Sequence, residues 1–239
     1  MAVRRIRRQE MKHDEFVDFF SKTTMLIEKK WRLIVPVIAG LLGIAIIVVA
    51  AVVWTRYSQR KAEQEFARAQ ALLQAPVLAQ GARPSDPATP SFPSDRARLE
   101  AALQALDKVA SERGGKVGWR ARMLRGLTLL RLSRGAEAEP VLQEVLPGAT
   151  DAMTRGLIRH ALASAALQRG DLTTAEQRLR ELEAGEAGYP KDVVLYDLSN
   201  VLRQEGKAEE AVRLLQRLMK EFPDSPVASE ARSALGPPG

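Results

Sequence analysis

The chain of 239 residues contains no cysteine and only two histidines, and aromatic residues make up just 5% of it. Without thiols there is no disulfide, no iron–sulfur cluster and no thiolate zinc site, and cysteine usage leaves the compartment open. His13 and His160 lie on opposite sides of a long uncharged run, so they do not share a centre. No glycine-rich phosphate loop and no HExxH pair occurs. Carboxylate pairs such as Glu181 and Glu183, or Glu209 and Glu210, have the pattern of exposed helix faces. The sequence therefore offers no catalytic, metal-ligating or cofactor-binding residues, and neither an enzyme nor a small-molecule substrate is expected.

Charge is absent from one stretch altogether. Leu33 to Trp54 holds twenty-two residues without a charged side chain, and fourteen of them are Leu, Ile or Val. A helix of that length rises roughly 33 Å, enough for the ~30 Å hydrocarbon core of a bilayer. Each aliphatic residue near the centre favours insertion by roughly 0.3–0.6 kcal/mol. Pro36 stands at the start of the run, where a helix tolerates a missing N–H best. Trp31 and Trp54 bracket it with Tyr57 beyond, as rings that seek the membrane interface do. A buried core helix would be shorter and carry a polar stripe. A cleaved signal peptide would have a shorter apolar core ending in small residues. The run reads as an uncleaved single-pass transmembrane anchor over 33–54.

The formal charge of +7 is unevenly spread. Residues 1–32 carry nine basic and five acidic side chains, so more than half of the excess sits in a short tail beside the span. That is a topology signal before it is a nucleic-acid signal, and no nucleic-acid partner is expected. The basic tail is expected in the cytoplasm, with the long C-terminal portion across the membrane. Within 1–32, Asp14 and Glu15 suit a helix start, and Phe16, Phe19 and Phe20 recur at helical spacing. Two readings stand: a docking helix for a cytoplasmic partner, or an amphipathic helix on the lipid surface with its lysines near anionic headgroups.

Past the span, Ala62, Phe66, Ala69 and Leu73 recur every three or four residues, which predicts a juxtamembrane helix over 55–74. Residues 75–94 contain Pro76, Pro84, Pro87, Pro90 and Pro93 and read as a flexible loop. From there, 95–239 is helical in pattern and repetitive. The segments 130–146, 167–183 and 202–218 each show a helix ending near glycine, a polar turn and a second helix. Taking Gly135, Gly170 and Gly206 as the turn residues gives periods of 35 and 36. Glycine there supplies a left-handed C-cap. Small residues follow at Ala175 and Ala211, with Pro140 in that place in the first repeat, and leucines precede at Leu127, Leu162 and Leu198. This pattern predicts tetratricopeptide-type hairpins over about 116–146, 151–184 and 191–222, stacking because no single hairpin buries its own apolar face. The helices 55–74 and 95–112 form an interrupted first hairpin. A C-terminal capping helix follows, with Asp224 or Ser225 at its start. The fold class is all-α: one transmembrane helix, then an α-solenoid.

The order of parts resembles the YfgM-like ancillary subunit family of the Sec translocon. The likeness rests on the Asp14/Glu15/Phe16/Phe19/Phe20 tail, the span ending in Trp54 and Tyr57, the Ala/Gln/Glu-rich helix and the hairpins. The proline insert and the arginine leader depart from the family's pattern. The resemblance implies a bacterial inner-membrane protein with its C-terminal domain in the periplasm. It also implies protein partners, namely translocon subunits, periplasmic chaperones or exported polypeptides, and a regulatory role for the tail. Alternatives are a scaffold for another envelope assembly (division, secretion or pilus machinery) or a regulator acting through the tail.

In tetratricopeptide stacks the first helix of each hairpin lines the concave side, at positions about ten and six residues before the turn glycine. This makes Arg125 and Leu129, His160 and Ser164, and Tyr196 and Asn200 the candidate peptide-binding groove, with Arg122 one turn earlier. The same residues are equally readable as solvated or packed between repeats. In the span, Ala39 and Gly43 form a small-xxx-small pair that permits close helix contact. Self-association through this pair predicts that Gly43→Leu converts the protein to a monomer in detergent, read by sedimentation velocity. An unchanged size distribution removes the pair from any interface.

Overall fold

The computed structural model describes residues 8–78, 90–185 and 188–235, and for residues 8–30 and 32–34 it describes the backbone alone. The chain divides into two compact units, Met1–Arg60 and Lys61–Gly239. Its elements are α1 (Arg8–Leu73), α2 (Asp95–Glu112), α3 (Gly115–Arg131), α4 (Gly135–Val145), a 3₁₀ turn (Leu146–Gly148), α5 (Ala152–Gln168), α6 (Leu172–Ala184), α7 (Lys191–Gln204), α8 (Ala208–Glu221) and α9 (Ala228–Leu235). No strand occurs among the described residues, so the class is all-α as the periodicity required.

The first unit holds the part of α1 up to Arg60, with Pro36 inside it. The segment Val35–Leu73 is long and apolar enough to cross a membrane, with a window of mean hydropathy 2.9 of which nothing is buried. Ile46, Ile47 and Trp54 are each about two-thirds exposed or more. In water such a surface would be untenable for an isolated helix, and lipid satisfies it at no cost to the backbone, whose hydrogen bonds are internal. Ala39 is exposed, and a side chain added at Gly43 would meet nothing within 4 Å. Phe16, Phe19 and Phe20 fall within α1, but their side chains lie outside the described residues.

The second unit is a stack of antiparallel helices. Ala62, Phe66 and Ala69 bury the stripe read from the sequence, and Phe66 and Ala69 join Leu106, Val109 and Ala121 in one cluster with Leu73 at its edge. Arg113 closes this end by giving two hydrogen bonds to Glu65, at 2.7 and 3.0 Å. Successive clusters then carry the core along the stack. Leu103, Leu129, Leu142 and Ile158 form one; Ala166, Leu179, Leu198 and Leu202 the next; Leu195, Leu215, Leu218 and Ala231 the last. Each fully buried leucine contributes roughly 1.5–3 kcal/mol, so every hairpin depends on its neighbour for its apolar face.

The hairpin turns correct the register assigned from glycine. Ser133, Gly170 and Gly206 have φ of 57°, 76° and 82°, and Gly135 is not left-handed. At all three turns the next residue's N–H reaches back five residues: Arg134 to the Leu129 carbonyl (2.9 Å), Asp171 to Ala166 (3.0 Å), Lys207 to Leu202 (2.8 Å). This is the Schellman closure, and it makes Ser133 the counterpart of the two glycines. The first helix pair is therefore offset by two residues from the glycine count. The second helices start at 135, 172 and 208, which gives periods of 37 and 36. The small residue of the first repeat is Ala138, fully buried like Ala175 and Ala211, and Pro140 lies further inside α4. Gly135 is glycine for another reason: a Cβ there would sit 2.8 Å from the Ala165 carbonyl oxygen and from Gln168 Cβ.

The proline-containing segment is pinned at both ends: Val77 and Phe92 form a parallel bridge, Leu78 donates to the Phe92 carbonyl at 2.9 Å, and Phe92 donates to Pro76 at 3.1 Å. At those ends the backbone groups find partners in each other, and residues 79–89 between them lie outside the described residues. At the other end of the chain, α9 begins at Ala228. Ser225 sits before it, its hydroxyl accepting from the Val227 N–H at 3.2 Å and donating to Asp192 at 2.6 Å.

The register makes opposite predictions for two turns. Ser133→Gly is expected to stabilise the domain by about 0.5 kcal/mol, and Gly206→Ala to destabilise it by about 1 kcal/mol, because a Cβ is disfavoured at positive φ. Thermal unfolding followed by circular dichroism reads both; equal signs for the two changes would refute the register.

Candidate functional site

Counted back from the left-handed turn residue, each first helix presents equivalent positions. The position occupied by Leu129, Ala166 and Leu202 is buried in all three repeats. Leu129 therefore belongs to the core and not to a groove, a correction that follows directly from the two-residue offset. The counterpart of Ser164 and Asn200 in α3 is Leu127, and that of His160 and Tyr196 is Met123; both are half-buried and pack on the core. Arg125 falls where Leu162 and Leu198 enter the core, and its guanidinium instead turns to Asp107 of α2. Arg122 is likewise engaged, donating to the Ala110 carbonyl at 3.2 Å and pairing with Glu144 at 3.3 Å. These two arginines act as braces among α2, α3 and α4.

Of the remaining four predicted residues, His160, Ser164 and Asn200 lie together. A cleft of about 460 Å³ between α5 and α7 is lined by His160, Ser164, Asn200 and Asp197, with Ala163, Leu167, Leu179 and Val201 supplying an aliphatic floor and Arg203 and Gln204 the rim. A second cleft, of about 490 Å³, continues on the other side of α7 against Ser229, Glu230 and Ser233 of α9, and it shares Asn200 and Arg203 while adding Tyr196. Helix α7 thus divides a polar-edged surface between α5 and α9.

His160 anchors one wall. Its Nε2 donates to Asp197 Oδ2 at 2.5 Å, and the Tyr189 hydroxyl lies 3.1 Å from Nδ1. The two rings also stack, 4.6 Å between centroids and 21° apart. Burial, with the Asp197 and Asp192 carboxylates behind it, pushes the Tyr189 phenol up and keeps its proton in place. Tyr189 presses so closely on α5 that a Cβ at Gly156 would lie 2.7 Å from its own. The histidine is bound on both sides, and Ser164 donates to the His160 carbonyl at 3.1 Å. The trio ties α5, α7 and the segment between α6 and α7 together and shapes the cleft. Sequence reasoning missed Asp197, Tyr189, Arg203 and Gln204; the repeat register, once known, would have placed Asp197 and Arg203 beside the expected positions.

The opposite edge of the stack is electrostatic. Glu139 is 12% exposed at its side chain and receives Arg169 at 2.9 Å and Arg178 at 2.7 Å, both from the following hairpin. Glu176 occupies the same repeat position and receives Lys207 at 2.7 Å. Arg180 extends the pattern to Glu210 (2.6 Å) and Arg217 to Glu183 (2.5 Å). Hydrogen bonds from Lys207 outweigh the burial that opposes them and, with Arg180, hold Glu176 down to about 2 from an ordinary 4.5. A carboxyl depressed on folding stabilises the fold above its unfolded pKa and ceases to do so as pH falls through its folded one. The stability difference between wild type and Glu176→Gln should therefore be full above pH 4.5 and vanish as pH drops toward about 2. Urea unfolding across that range measures it, and a difference that grows on acidification would contradict the assignment.

Among the described residues no group of three or more His, Cys, Asp or Glu could hold a metal ion. A tetratricopeptide repeat family profile matches residues 166–235, from the end of α5 through α9. Three solved structures are similar in fold. Two are chains described as nearly identical TPR-like repeats of a kinesin light chain from Podosopora anserina, one of them a single-substitution variant. The variant shares 15% identity at a TM-score of 0.51, over 72% of this chain and 81% of its own. The other shares 14% at 0.50, over 72% and 82%. The third, MamA, shares 16% at a TM-score of 0.45, over 59% and 81%. No curated protein matches the chain. The C-terminal unit is a tetratricopeptide-like α-solenoid, a fold that suggests a protein–protein interaction module.

Proposed function

We propose that this protein is a membrane-anchored interaction module that binds other polypeptides through the α5–α7–α9 face and performs no catalysis. The observation that carries the reading is the cleft itself: hydrogen-bonding side chains at Asn200, Gln204 and Arg203 stand over an aliphatic floor, on a fold made of stacked hairpins. Such a surface can hold backbone and side chains of a partner at once. The apolar, unburied segment of α1 supports a single-pass anchor. The basic tail supports its orientation, N-terminus in the cytoplasm and solenoid across a bacterial inner membrane, in the periplasm. On the resemblance of tail, span and repeats, the partners are Sec translocon subunits together with periplasmic chaperones or exported polypeptides. The tail phenylalanines Phe16, Phe19 and Phe20 and the pair Ala39 and Gly43 are the segments that would meet a channel or lipid. Photocrosslinking from span positions in intact membranes, followed by mass spectrometry, is expected to recover channel subunits. Recovery of none from an abundantly expressed protein would refute the translocon assignment.

A further inference from the structure

Most arginines of the helical stack hold a carboxylate: Arg122 pairs with Glu144, Arg125 with Asp107, Arg178 with Glu139 and Arg217 with Glu183. Arg203 stands apart from them. It is exposed, it lies on the rim of both clefts, and among the described residues its guanidinium has no ion-pair or hydrogen-bond partner. The side-chain amides of Asn200 and Gln204 flank it, three residues before and one after, equally without partners among the described residues. Of the carboxylates lining the two clefts, Asp197 is already taken by His160 at 2.5 Å, and Glu230 of α9 forms no ion pair with Arg203. Across that cleft the floor is aliphatic, made by Leu167, Leu179 and Val201.

We propose that this cleft is specific for an extended protein segment in which an acidic side chain stands beside an aliphatic one. The carboxylate pairs with the Arg203 fork, whose geometry suits two parallel hydrogen bonds. The aliphatic side chain enters between α5 and α7, and the amides of Asn200 and Gln204 meet the segment's backbone. The inference rests on the binding reading above and names the chemistry of its ligand. An exposed arginine costs little to leave solvated, so its pairing supplies selection by charge, while the aliphatic contact supplies the larger share of affinity.

The test uses the full-length protein in nanodiscs, with empty nanodiscs as control, and short fluorescent peptides blocked at both ends. The main probe is a serine–glycine peptide carrying one aspartate next to one leucine; the controls replace aspartate by lysine, or leucine by serine. Fluorescence anisotropy is expected to show the main probe binding at least about tenfold tighter than either control. Arg203→Glu should reverse the charge preference, weakening the aspartate probe about tenfold and strengthening the lysine probe. Circular dichroism of the variant establishes that the helices persist. Absence of binding by the main probe up to about 1 mM, or an affinity unchanged by Arg203→Glu, overturns the proposal. A preference for the same peptide only with a free C-terminus overturns it in favour of terminal-carboxylate capture. If membrane purification recovers partners equally from wild type and Arg203→Glu, this specificity fails while the interaction reading stands. Recovery of no partner from wild type sinks that broader reading instead.

Discussion

The approach of paired helices at three alanines governs the rest of the solenoid. Ala138, Ala175 and Ala211 are fully buried. A larger side chain at any of them would push the two helices of its hairpin apart, and the aliphatic clusters would lose contact along their whole length. The turns serve this approach. Each reverses the chain within a few residues by one left-handed residue and one backbone bond across the helix end. Once paired, a hairpin still exposes an apolar face, and the only surface that fits it is the next hairpin. Hence the core is a chain of linked clusters, and position along it decides what each helix can offer to solvent.

That position explains why α3 and α7 differ in use. In α3 the inward-facing places carry Met123 and Leu127, which are drawn into packing. In α7 the corresponding places carry Tyr196, which also packs on the core, and the polar Asn200, with the exposed Arg203 a turn later; all three line a cleft. The same scaffold therefore supplies a brace at one end and the proposed binding face at the other. Nothing about the backbone changes between them; the choice of side chain does it.

Much of this was legible in the sequence because it follows from periodicity. The apolar run, the Ala62–Leu73 stripe, the left-handed Gly170 and Gly206 and the close contacts at Ala175 and Ala211 each leave a local mark. The first repeat misled because Gly135 stands two residues beyond the true turn, where it is needed for a tight approach to Ala165, while Ser133 takes the left-handed conformation that glycine usually supplies. That displacement moved Leu129 to the surface on paper and hid Ala138 behind Pro140. The His160, Asp197 and Tyr189 trio was illegible for a different reason. Its members are 29 and 37 residues from His160 in the chain, and only a stack of known register brings them together. Pairings of that range carry no sequence pattern of their own, whereas His160 and Asn200 were found because they follow the repeat.

At the stack's edge Glu139, Glu176 and Glu183 each take a cation from the next hairpin, while Arg180 reaches forward to Glu210. Glu139 takes both of its arginines from the hairpin that follows it in the chain. Shortened after α4, the polypeptide would lose both cations that answer Glu139 together with the helices that shield it, leaving an apolar face and an acidic edge open to water. An amino-terminal fragment emerging during synthesis thus stays incomplete until its successor arrives. The solenoid has a grammatical order, in which each clause is closed only by the next.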